Sequence, residues 1–274
     1  MNALFVGYKP TGLSSNQFLG RTKRKYGLKK AGYSGTLDPF AKGVLIIALG
    51  NATRLFRFLK KTPKTYRATL WLGAHSETLD IEKVEQIDTL NEFKIDTVKE
   101  ALHTLQGRVT YAPPKYSAKK VDGKRAYSLA RDGEEVILEP ITSEIYNIKF
   151  ISYMHPFVTF EATVSEGTYI RSLGQLLCQK LGVKGGCLSA LERLSEGKFR
   201  YNNEEFLNIK EYLDMPKNIF LGERDNMLLG KKLHVDQFAK KEDSYYWIDN
   251  DDTVTIIEIK DGEMKYILNK VQTC

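Results

Sequence analysis

Residues 44–49, Val-Leu-Ile-Ile-Ala-Leu, are a continuous apolar run of strand length. With no polar position to turn toward water, the run predicts a strand inside a sheet that is covered on both faces. The residues before it, Ala-Gly-Tyr-Ser-Gly-Thr-Leu-Asp-Pro-Phe-Ala-Lys-Gly from 31 to 43, contain one carboxylate, Asp38. Gly32, Gly35 and Gly43 give the backbone freedom on either side of it, and Pro39 biases Asp38 away from the right-handed helical region. The stretch thus predicts a shaped loop holding an acid at the mouth of a buried strand. By itself, an Asp-Pro between glycines reads as a turn whose carboxylate bonds its own backbone.

The rest of the composition narrows the classes. With 274 residues and 42% hydrophobic composition, the chain can bury one substantial domain and a small one. No stretch reaches 18 uninterrupted apolar residues, and the N-terminus has no secretory or transit pattern, so a cytoplasmic protein is expected. The formal charge of +7 favours a polyanionic partner. Cys178, Cys187 and Cys274 are irregularly spaced and only four histidines accompany them, so reduced thiols and no metal site are expected.

In chain order, residues 3–8 predict a strand, and a Pro-Gly turn follows. Ser14 and Gln17 form a capping box for a helix over 15–26, whose second half begins a cluster of cations, Arg21, Lys23, Arg24, Lys25, Lys29 and Lys30. Residues 51–61 predict an amphipathic helix with Leu55, Phe58 and Leu59 inward. Residues 64–72 alternate as a strand with Tyr66, Ala68, Leu70 and Leu72 on one face. The acidic stretch 73–92 carries no evident chemistry. A capping box at 96–100 predicts a helix ending near Gly107. From 111 to 127, Lys115, Lys119, Lys120, Lys124 and Arg125 alternate with Tyr111, Tyr116 and Tyr127, an arrangement suited to phosphates and unpaired bases. Residues 142–152 and 157–165 predict strands, 166–182 a helix, and 206–213 a last helix. Beyond 215 come three short alternating runs at 245–248, 254–259 and 264–268.

Several of these stretches resemble one family in its own order. Gly-Tyr-Ser-Gly-Thr-Leu-Asp-Pro-Phe-Ala-Lys-Gly-Val-Leu is similar to the catalytic motif of the TruB family of tRNA pseudouridine-55 synthases. Lys-Pro-x-Gly at 9–12, Lys-x-Tyr at 64–66, Pro-x-Tyr-Ser-Ala-x-Lys at 114–120, Gly-Thr-Tyr-Ile-Arg-Ser-Leu at 167–173 and Leu-x-Arg-x-x-x-Gly-x-Phe at 191–199 resemble further family segments. The resemblance spans residues 4 to about 213.

It implies an α/β fold of the α+β type, with a mixed, largely antiparallel central sheet and flanking helices. The expected catalytic domain is 1–215, with an RNA-clasping insert at about 107–135. Residues 216–274 form a small all-β appendage, expected to be a reduced RNA-binding unit of the PUA type. The resemblance further implies that Asp38 is the nucleophile, Arg171 its partner, and Tyr66 a base-stacking residue that helps move a proton. Tyr169 and Leu191 would complete the base pocket, and Lys9, Tyr33, Lys119 and Lys120 would contact RNA. Where the family usually has His, this chain has Tyr33, which keeps an aromatic plane but cannot carry positive charge.

The implied reaction cuts the ribose–N1 bond of uridine and rejoins the base through C5, without net redox change or hydrolysis. No cofactor is therefore expected, and the expected partner is the T stem-loop of tRNA, bound by a monomer with no obligatory protein partner. A carboxylate suits this chemistry because it can form and release a covalent adduct at carbon. A neighbouring guanidinium is expected to keep it ionised by lowering its pKa. The uridine must be flipped from its loop. The alternatives are a non-catalytic tRNA chaperone on the same scaffold and a synthase acting on another RNA.

Overall fold

A computed structural model describes residues 1–117, 119–121 and 123–272. Cys274, and with it the expected third thiol, lies outside the described residues, as do Ala118 and Asp122 of the expected insert.

The strands of the main sheet are β1 (Ala3–Lys9), β2 (Ala31–Ser34), β3 (Lys42–Leu49) and β4 (Lys64–Leu72). After a small hairpin of β5 (Ala74–Ser76) and β6 (Val84–Ile87) comes β7 (Gly107–Tyr111). The insert carries a second hairpin, β8 (Lys120–Val121) and β9 (Lys124–Arg125), and β10 (Ile141–Met154), β11 (Phe157–Val164) and β12 (Gly186–Glu196) complete the set. The sheet order is β1-β3-β12-β4-β11-β10-β7, with β2 also on β3. Within this sheet, among the described residues, only the β12–β3 pairing is parallel, so the expected mixed, largely antiparallel sheet is present.

Helix α1 (Ser15–Lys25) starts at the Ser14–Gln17 capping box and ends in Lys23, Arg24 and Lys25, where cations favour the helix dipole. Its Phe18 and Leu19 cover Leu45, Ile47 and Leu49 on one face of β3, while Val44, Ile46 and Ala48 are buried in a separate cluster on the other. The apolar run is thus enclosed on both sides. Helices α2 (Ile95–His103) and α4 (Ile170–Lys180) pack on one another, α2 against β10 and α4 against β12 and β4, and their Val98, Leu102, Leu173 and Leu177 share one core cluster with Leu70, Val158 and Phe160. Between them in the chain, the short α3 (Ala126–Arg131) belongs to the insert.

Three local expectations are corrected. The helix over 51–61 is a 3-10 helix, Gly50–Phe58, although Leu55, Phe58 and Leu59 are buried as expected. At α2 the cap is Lys94, and no side-chain capping bond forms; Asp96 lies in the first turn and pairs with Lys99 at 3.3 Å. The helix expected over 206–213 is absent. That segment lies along the sheet as bridges Phe5–Phe206 and Leu59–Leu213, with Leu207 N–H donating to Leu4 O and a single 3-10 turn, Ile209–Glu211. These edge contacts satisfy backbone groups that a helix would have satisfied within itself.

The C-terminal unit is a sheet of β13 (Lys217–Asn218), β14 (Ser244–Asp249), β15 (Thr253–Lys260) and β16 (Glu263–Gln272), with a five-residue helix α5 (Arg224–Leu228). Its Val254, Ile256, Leu268 and Val271 form one cluster with Leu4, Val6, Val44 and Ile46. No helix among the described residues is long and apolar enough to cross a membrane.

Candidate active site

Asp38 lies in the loop between β2 and β3. The loop is pinned to the start of α1: Leu37 N–H donates to Ser15 Oγ at 2.9 Å, the same hydroxyl donates to Leu37 O at 3.0 Å, and Gly12 N–H donates to Pro39 O at 2.8 Å. Its carboxylate opens on a cleft of about 1150 Å³ with its side chain 34% exposed.

Arg171 reaches the same point from the first turn of α4. Its Nη2 lies 3.1 Å from Asp38 Oδ2, and its Nη1 lies 3.4 Å from Asp80 Oδ2. Nη1 also donates to Thr78 O at 2.7 Å, and Nη2 to Tyr116 O at 2.8 Å. An arginine near a helix N-terminus is disfavoured by the helix dipole, and two facing carboxylates offset that. At 5% exposure, the guanidinium uses its fork to join the Asp38 loop, the 78–80 loop and the insert.

Asp80 was not legible in the acidic stretch that holds it. It is 2% exposed, and its Oδ1 accepts from Thr78 Oγ1 at 2.6 Å and from Glu82 N–H at 3.0 Å. One cation thus serves two carboxylates. Burial pushes the Asp38 carboxyl above its ordinary range; Arg171 pulls it down, Asp80 adds to the rise, and Lys9 opposes it. The guanidinium lowers the pKa as expected, and burial is the larger influence.

The other expected residues divide between cleft, core and insert. Tyr33 lines the cleft and donates its hydroxyl to Asn16 Oδ1 at 3.2 Å. Tyr66 and Leu191, 9% and 7% exposed, lie in the core cluster with Leu37 and Phe40, which flank Asp38 in the chain. Tyr169 is half-buried and caps α4, its N–H donating to Tyr111 Oη at 2.9 Å. Lys119 donates to Glu139 O at 3.3 Å, and Lys120 is exposed on β8 opposite Arg125. Lys115, Tyr116, Arg125 and Tyr127 of the insert line the cleft.

Lys9 is misplaced by the sequence reading. It is fully buried, and its ammonium donates to Leu13 O at 2.6 Å, Pro10 O at 2.9 Å and Pro39 O at 3.4 Å. With its donors spent on the strap beside the Asp38 loop, it is not placed to hold a phosphate. Burial lowers its pKa to about 8, Asp38 opposing the change. Cys178 and Cys187 are buried free thiols, raised by burial to about 12 and about 11. Among the described residues no His, Cys, Asp and Glu side chains cluster to hold a metal ion.

Residues 23–170 match the TruB family pseudouridylate synthase N-terminal domain. The chain is 55% identical over 272 residues to the tRNA pseudouridine synthase B of Sulfurimonas denitrificans, covering 99% of this chain and 100% of that protein. It is 51% identical over 274 residues to the tRNA pseudouridine synthase B of Campylobacter curvus, covering all of both. Among solved structures, the crystal structure of a Cbf5-Nop10-Gar1 complex contains a chain that is similar with a TM-score of 0.68 at 22% identity, over 98% of this chain and 84% of that one. That likeness is one of fold.

Proposed function

The chain belongs to the TruB family of pseudouridylate synthases, and on that premise we propose that it isomerises uridine to pseudouridine at position 55 in the T loop of tRNA. The observation that carries the reading is the Asp38–Arg171 pair at 3.1 Å, set where a buried strand meets an open cleft.

In this reading Asp38 is the nucleophile and forms a transient adduct at carbon. The C1′–N1 bond breaks, the base turns and C1′ joins C5; the C5 hydrogen leaves as a proton and N1 takes one up. Arg171 holds the carboxylate in place. Tyr66, Tyr169 and Leu191 form the apolar floor that receives the flipped base, and Tyr66 is the candidate to move the C5 proton. Tyr33, Lys119 and Lys120 contact the RNA, and the insert closes on it. The appendage is a reduced RNA-binding unit, and the enzyme works in the cytoplasm as a monomer without a protein partner or cofactor.

Tritium release from a tRNA transcript labelled at uracil C5 tests the reading. Release is expected from the native T loop and not after its target uridine is replaced. A folded, tRNA-binding protein that releases none would leave the chaperone alternative, and release that ignores the replacement would point to another site.

A further inference from the structure

The loop carrying Asp38 leaves and re-enters the sheet past two backbone carbonyls, and one side chain holds both. Arg193 on β12 is 1% exposed; its Nε donates to Val44 O at 2.7 Å and its Nη2 to Gly35 O at 3.0 Å. Gly35 lies before the acid and Val44 after it. Glu196, fully buried, faces the guanidinium at 3.4 Å. It is held in turn by Ser34 Oγ, which donates to Oε1 at 2.9 Å, and by Lys64 Nζ at 3.6 Å.

The neighbouring backbone leaves room for this arrangement. Gly43, at φ +115°, faces Arg193 across the parallel pairing, and a Cβ there would fall on the Arg193 carbonyl oxygen. A Cβ on Gly35 would come to 3.0 Å from Arg193 Nη1. Neither Arg193, Glu196 nor Lys64 is among the residues lining the cleft.

Buried ion pairs are often matched or bettered in stability by apolar side chains of similar volume. What an apolar side chain cannot do is hydrogen-bond two carbonyls at a fixed separation, which the planar guanidinium does. We propose that Arg193, backed by Glu196 and Ser34, is a positioning residue that fixes the two stems of the nucleophile loop and so sets Asp38 against Arg171. The proposal rests on the catalytic reading of Asp38 given above.

Arg193→Lys tests it, because a lysine keeps a charge beside Glu196 but lacks the fork. The single-turnover rate of pseudouridine formation is expected to fall about tenfold or more, as misplaced reacting groups do. The tRNA dissociation constant is expected to stay at its wild-type value. The acid limb of the pH–rate profile is expected to move to higher pH as Asp38 loses contact with Arg171. Wild-type rate and limb in the folded variant would overturn the proposal, as would a rate loss fully matched by lost tRNA affinity. Should Arg193→Lys not fold, Ser34→Ala decides: the same split at smaller size supports positioning, and an unchanged rate and limb overturns it. Pseudouridine formation by the wild type, scored in the same assay, tests the functional reading separately.

Discussion

Arg171 spends one positive charge on two carboxylates, and that division governs how Asp38 titrates. Because the Asp38 pKa lies above its ordinary value, its ionised carboxylate is lost as pH falls through that raised value. The chemical step should therefore show an acid limb above the normal carboxylate range. Arg171→Met should move that limb further up, since it removes the largest opposing influence; a limb that stays put in single-turnover pH profiles would contradict this assignment. The Lys9 pKa is shifted the other way, downward, and bears on stability. Between about 8 in the folded protein and 10.5 when unperturbed, the unfolded chain holds a proton that the folded one has shed, so stability rises with pH across that window. Relative to Lys9→Met, wild type should gain up to roughly 3 kcal/mol between pH 8 and pH 10.5 in denaturant titrations. Asp38 and Arg171 were legible because each sits in a run of residues with family resemblance. Asp80 was not, because an Asp in an acidic stretch acquires its role only when the fold brings it to Arg171.

Among the elements, β12 shows what alternation can hide. It is a central strand between β3 and β4, yet Glu192, Arg193 and Glu196 interrupt its apolar pattern, and register shifts at 188–190 and 193–195 break its period. Its second half is legible in the sequence only as a segment with family resemblance, and not as a strand. By contrast, β3 and β4 were plain from the sequence, one continuously apolar and one strictly alternating. The 206–213 segment misled because its apolar spacing fits a helix equally well, and only the edge of β1 decides that it lies extended. The insert reaches Arg171 through the Tyr116 carbonyl, while Lys119 and Lys120 sit at its outer hairpin. Lys119→Ala with Lys120→Ala should weaken tRNA binding and reduce the log–log salt slope by about 1 to 2. Filter binding at several salt concentrations checks this, and an unchanged slope would take the hairpin out of the phosphate footprint.

Across the whole molecule, the C-terminal sheet packs through β16 against the 3-10 helix Gly50–Phe58, which follows the strand that the Asp38 loop feeds. Val254, Ile256, Leu268 and Val271 belong to one cluster with Val44 and Ile46, so the small sheet shares a hydrophobic core with the large one. Ile256 is fully buried, and Ile256→Ala should cost about 2–5 kcal/mol, read as a single shifted unfolding transition. Two transitions, with only the smaller displaced, would show that the appendage folds independently. The small sheet itself was legible from its alternating runs, but its shared core was not, because a sequence does not state which apolar face meets which. All these parts converge on one carboxylate, so the most direct measurement compares wild type with Asp38→Asn for both tritium release from C5-labelled tRNA and tRNA affinity. The account predicts that release is abolished while affinity is nearly unchanged; appreciable turnover by the folded variant, or loss of binding in step with loss of release, would contradict it.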